Sequence, residues 1–166
     1  MARFRRFDVV LTGRETDEGQ IEALRERREG MRSAMGDLEH AVAAPAPGRL
    51  DEWIAGVRSA LDALRDVIDH HVFATEAPGG FLDEIVDDEP RLANQSQRLR
   101  DDHGEIVDAV SVASAQLRSG PAIASDEWVE AQRDRLLALL ALLARHRQRG
   151  ADLVYEAYSL DIGAGG

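Results

Sequence analysis

Histidines at positions 40, 70, 71, 103 and 146 carry the most evident coordination chemistry in this 166-residue chain. There is no cysteine, which excludes disulfides, thiolate catalysis and zinc ribbons. Any metal site must draw on His, Asp and Glu, a donor set suited to iron, manganese or zinc. At about 100° per residue, each histidine can be placed against the apolar stripe of its own helical segment. His71 falls about 20° from the Leu64 direction, His103 about 40° from Leu99, and His146 about 20° from Leu139. Three segments thus each direct one imidazole towards a common core. His40 falls roughly opposite the stripe that carries Met31 and Leu38, and His70 is a full step off its own. Neither joins the set.

A single inward imidazole has an ordinary explanation, a hydrogen bond to a core carbonyl. Three without partners incur the desolvation cost three times, and one metal ion satisfies all of them together. The competing explanation is a wide stripe with the histidines at its boundary with water. Carboxylates are scarcer. Glu76 lies about 140° round a regular helix from His71, so it is expected to reach the core only if the helix end unwinds or bulges. Pro78, Gly79 and Gly80 permit that. Gly150 and Ala151 stand where a helix would carry an acid after His146, and Asp108 points about 140° from His103. The residues alone leave two alternatives: ligation by His71, His103 and His146 with Glu76 as oxygen donor, or a metal-free core.

The elements that must position these residues read as amphipathic helices. The first runs from Thr16 to Ala44 on a stripe of Ile21, Leu24, Met31, Met35, Leu38 and Val42, and stops at "APAPG". The second runs from Leu50 to Glu76, with Trp53, Val57, Leu61, Leu64, Ile68 and His71 on one face. A connector follows, with a short apolar pattern of its own at Phe81, Leu82 and Ile85. The third starts near Pro90, a favourable first-turn residue, and closes at "SGP". Its stripe is Leu92, Leu99, His103, Ile106, Val110, Ala113 and Leu117. The fourth opens with Ser125 as N-cap and Asp126 and Glu127 in the first turn. Its stripe includes Leu136, Leu139, Leu140, Leu143, His146, Gly150, Leu153 and Ala157. The expected fold is all-α: an up-down-up-down four-helix bundle over residues 16–160, with an N-terminal extension (1–15) and a flexible tail (161–166). Strand-like alternation is confined to "FDVVL", residues 7–11.

The net charge is −11, which argues against nucleic acid as a partner. The basic "RFRRF" is a local exception, read as a solvated arm or a small anionic contact. The most apolar window, "LLALLALLA", is too short to cross a membrane and is flanked by charge. No signal-peptide pattern is visible at the N-terminus, and a cytoplasmic location is expected. The acidic "DEIVDDEP" lacks the glycine and ligand spacing of a calcium loop and reads as a solvated connector. Tyr155 and Tyr158 read either as packing at the bundle's edge or as hydrogen-bonding partners of a metal-bound species. No phosphate-binding loop, nucleophile elbow or glycosidase-like acid pair is present.

The segments "HVFATE", "LRDDHGEIVDAV" and "LLARHRQRGADLVYEAY" together resemble the hemerythrin-like family of cation-binding bundles, over about residues 20–160. The resemblance implies a non-haem di-iron centre bridged by carboxylates, in proteins that bind dioxygen, sense oxygen or redox state, or handle iron and nitric oxide. Carried over residue by residue, His71, Glu76, His103 and His146 match ligand positions. Two places depart from the pattern. The family's early helix-one histidine is replaced by the arginines of "EALRERREGMRSAM", and its acid after the helix-four histidine is replaced by Gly150 and Ala151. The expectation is a non-enzymatic metal-binding protein holding one or two ions of non-haem iron or a similar divalent metal. Dioxygen or another small ligand would take an open position. The alternatives are a metal-free interaction or structural bundle and, third, an oxidase- or peroxidase-like iron enzyme.

Overall fold

The computed structural model describes residues 13–120 and 125–159, and side chains within 25–120 and 125–157. Four long helices form: α1 (Gly13–Ala43), α2 (Leu50–Glu76), α4 (Ala93–Arg118) and α5 (Asp126–Ser159). A short helix, α3 (Phe81–Asp88), and a 3-10 turn (Pro90–Leu92) lie between α2 and α4. No strand occurs among the described residues. The "FDVVL" and "RFRRF" segments, most of the expected extension and the tail lie outside them. α1 already runs from Gly13, inside the range expected to be extension.

The apolar stripes close the bundle as the periodicity requires. α1 packs on α2 and α5, and α4 packs on α2 and α5. Leu38, Val57, Leu61, Leu64, Ile106, Val110, Leu136, Leu139 and Leu143 are all but completely buried between them. Each such aliphatic side chain contributes about 1.5–3 kcal/mol when removed from water.

The ends of the helices are finished by side chains from their neighbours. Arg133 of α5 donates from Nε to the Val42 carbonyl at 3.1 Å and from Nη2 to the Ala44 carbonyl at 2.9 Å. The Trp53 indole donates to Val42 as well, at 3.3 Å. These bonds satisfy carbonyls that a helix terminus leaves without partners. The chain then turns through Gly48, whose φ of 72° is easy only for glycine. Ser125 caps α5 as the sequence implies, accepting from the Trp128 backbone N–H at 3.2 Å.

The structure adds detail to two sequence expectations. The connector after α2 is largely helical. Eight residues are too few to hold a helix alone in water, but Leu82 and Ile85 are buried with Leu92, Leu99 and Leu153 in a second, smaller apolar cluster. Pro90 opens the 3-10 turn, and α4 proper begins at Ala93.

That second cluster fixes where the histidines sit. On α4, Leu99 belongs to the small cluster and Ile106 to the main core, with His103 between them. On α5, Leu143 and Leu153 likewise bracket His146. On α2, His71 lies between Ile68 of the main core and α3, which carries Leu82 and Ile85. The imidazoles therefore form one polar layer between two apolar ones.

Candidate metal centre

His71, His103 and His146 converge in that layer, each offering one ring nitrogen, with all three donor atoms within 4.8 Å of one another. His146 Nε2 stands 3.2 Å from His71 Nε2 and 3.2 Å from His103 Nε2. Three nitrogens bound at 2.0–2.1 Å around a tetrahedral ion would be about 3.3 Å apart. His103 and His146 are 4% and 5% exposed, and His71 is half-buried. His40 and His70 are exposed, in keeping with their off-stripe positions.

Glu76 turns inward, but it meets His103 rather than His71. Its Oε1 lies 2.5 Å from His103 Nδ1, the ring nitrogen that faces away from the cluster. No unwinding is needed, because α2 continues through Glu76. The reason is angular. From Ile68, His71 lies about 60° to one side of the stripe and Glu76 about 80° to the other. The two residues flank the stripe, and Glu76 faces the neighbouring α4.

Asp102 has no counterpart in the sequence reading. It is 5% exposed, and its Oδ2 is 3.5 Å from His146 Nδ1. Arg149 Nη1 donates to its other oxygen at 2.5 Å. Consecutive residues on α4 thus serve the site from two directions. His103 supplies a nitrogen to the cluster, and Asp102, about 100° round the helix, stands behind the histidine of α5. The signal was present: Asp102 is three residues after buried Leu99 and four before buried Ile106, the spacing of a core face.

The electrostatics keep His71 and His146 available as donors. Burial, reinforced by His103 and His146, pushes His71 down to about 4. Burial and the neighbouring His103 push His146 down to about 4 against the opposing pull of Asp102. Both are neutral at pH 7, which is the ligating form.

If His103 and His146 are both neutral and Glu76 is ionised, the hydrogen bonds cannot all be completed from within the protein. With its proton on Nδ1, His103 donates to Glu76 and turns a lone pair towards His146. If His146 also carries its proton on Nδ1, facing Asp102, two lone pairs meet at the 3.2 Å Nε2–Nε2 contact. If it carries the proton on Nε2, that contact becomes a hydrogen bond, but an unprotonated nitrogen then faces the Asp102 carboxylate. At 3.5 Å His146 Nδ1 and Asp102 Oδ2 stand close without forming a hydrogen bond, and both are buried without a hydrogen-bond partner. A cation between the Nε2 atoms relieves the first arrangement at once.

The donor set fits one ion and not a carboxylate-bridged pair. The cluster consists of three imidazoles among the described residues, and the nearest carboxylate is engaged on the far side of His103. Gly150 is half-buried on α5 and brings no ligand. Tyr155 is 73% exposed, so neither edge packing nor a hydrogen bond to the site describes it. The Tyr158 side chain lies outside the described residues. On the acidic connector, Asp83 accepts from Arg100 Nη2 at 2.6 Å and from the Gly79 N–H at 3.0 Å, tying the turn to α4.

Comparison with protein-family models, with curated proteins and with solved structures finds no match for this chain. No helix among the described residues is long and apolar enough to cross a membrane.

Proposed function

We propose that this chain is a metal-binding bundle of up-down-up-down topology that holds a single divalent transition-metal ion on Nε2 of His71, His103 and His146. Glu76 and Asp102 act behind the ligands. Glu76 fixes the tautomer and tilt of His103 and raises its basicity, and Asp102 sets a negative charge behind His146. The observation that carries the reading is the convergence of three Nε2 atoms, two of them backed by carboxylates, at spacings suited to one ion.

The hemerythrin-like resemblance supplies the physiological class: a non-enzymatic role in oxygen, redox or iron handling. Its three-histidine core is kept, and its second ion is not part of the proposal. A bound ion would supply a Lewis-acidic centre with room for one further small ligand, dioxygen among the candidates. The protein's own contribution is a largely buried layer, three converging ring nitrogens and two countercharges placed outside the coordination sphere.

Calorimetric titration of the metal-stripped chain with zinc, iron(II) and cobalt(II) tests this. One equivalent should bind, and His71→Ala, His103→Ala and His146→Ala should each abolish the isotherm while the chain stays helical. Tight binding that survives all three substitutions would place the metal elsewhere. An absence of binding would leave a metal-free bundle whose surface carries the function.

A further inference from the structure

The two carboxylates behind the imidazoles are held differently. Glu76 meets His103 Nδ1 at 2.5 Å and has no other partner among the described residues. Asp102 is divided between two residues one turn apart on α5. Arg149 Nη1 donates to its Oδ1 at 2.5 Å, while His146 Nδ1 stands 3.5 Å from its Oδ2. That second distance exceeds the roughly 2.7–3.2 Å of an N–H···O bond, and both of its atoms are buried without a hydrogen-bond partner. The carboxylate is drawn to the guanidinium and falls just short of the imidazole. Glu76 shows the same kind of contact where no arginine competes.

The charges explain the asymmetry. Arginine is always charged and His146 is neutral at pH 7, so the guanidinium makes the stronger, charge-assisted bond. Arg149 reaches Asp102 from the surface of α5, with half of its side chain exposed. An imidazole that binds an ion through Nε2 carries its proton on Nδ1, and a carboxylate that accepts this proton makes the ring a better donor. His103 has that support. At His146, after burial and the neighbouring His103 ring, the charges felt are Asp102, which pulls the imidazole up, and Arg149, which pushes it down.

We propose that Arg149 is a positioning residue that acts against the metal centre: by drawing Asp102 away from His146, it leaves His146 a weaker ligand than His103 and keeps the ion exchangeable. The inference rests on the metal reading above and assigns the regulation of that site to a residue reaching in from the surface.

Zinc affinity of the full-length chain, measured by competition with a chromophoric chelator, provides the test. Arg149→Gln should bind zinc about tenfold more tightly than the parent, the lower end of what a carboxylate gives a ligating imidazole. Its metal-free form should melt lower, since a buried carboxylate has lost its countercharge. A residue that only tied α4 to α5 would lower that melt without raising affinity. Arg149→Lys, which keeps the charge, should return affinity towards the parent value. With Asp102→Asn already in place, Arg149→Gln should no longer tighten binding, because the gain runs through that carboxylate. Proton NMR of the zinc-loaded parent should show a slowly exchanging Nδ1–H on His103 and none on His146, a result that does not depend on any variant folding. Arg149→Gln should add the second signal. Unchanged or weaker zinc binding in Arg149→Gln, or a protected His146 Nδ1–H in the parent, would overturn the inference with the metal site intact. A parent chain that takes up no zinc would overturn the metal reading and this inference with it.

Discussion

At the scale of single residues, the site divides into groups that would touch an ion and groups that aim them. His103→Ala removes a donor and should eliminate metal binding. Glu76→Gln and Asp102→Asn keep every donor and should weaken affinity about 10–100-fold, the usual effect of losing a carboxylate behind a ligating imidazole. Competition against a chromophoric chelator measures both. Equal, complete loss in all three variants would mean that Glu76 or Asp102 ligates directly. Acid dependence follows from the two depressed histidines. His71 and His146 titrate near 4 in the fold and near 6.5 when unfolded, so between those values the unfolded chain binds more protons. Stability of the metal-free chain should be level above about pH 6.5 and fall as pH drops towards 4. Thermal melts across that window check the sign, and a rise in stability on acidification would refute it. At this scale the inward imidazoles were legible, because a three- or four-residue step locates a side chain on its helix. The role of Glu76 was not. Its partner is on another helix, and no single-helix angle says which ring nitrogen a carboxylate will meet. Asp102 shows the reverse case, a legible core position hidden by an expectation that acids follow their histidine.

At the scale of elements, the caps and stripes that the sequence displays are the ones the fold uses. Both ends of α2 fall at Leu50 and Glu76 as the pattern implies, since "APAPG" before it and Pro78 after it forbid continuation. Ser125→Ala should cost about 1 kcal/mol through loss of the α5 cap, a fall in Tm of roughly 2–4 °C for a chain of this size. Loss of no more than a few tenths of a degree would show that α5 does not depend on that bond. The short α3 was less legible, because its stability comes from burial against α4 and α5 rather than from its own length. Leu82, 1% exposed, is the anchor. Leu82→Ala should destabilise the fold by about 2–5 kcal/mol and increase hydrogen exchange in residues 81–88 first. Uniform exchange across all helices would mean that α3 is not the weaker unit. Gly80 cannot be altered lightly, since a Cβ there would lie 2.7 Å from the Ala77 carbonyl oxygen.

At the scale of the whole molecule, one layer of imidazoles separates two apolar clusters, and its cost would be recovered if the three imidazoles shared a cation. Metal and fold are then linked: an ion at one hundred times its dissociation constant stabilises the native state by about 2.7 kcal/mol. A strong chelator should lower the Tm of metal-loaded protein accordingly. The net charge of −11 favours cation uptake in general, so stoichiometry matters more than affinity alone. The most direct measurement is the metal content per chain of the full-length protein, loaded with excess iron(II) or zinc under anaerobic conditions and then freed of loosely held ions. One ion per chain in the parent, and none in His103→Ala, is the expected result. Two ions per chain would contradict the single-ion centre and require carboxylate ligands beyond the three histidines, and no ions would contradict the metal centre altogether.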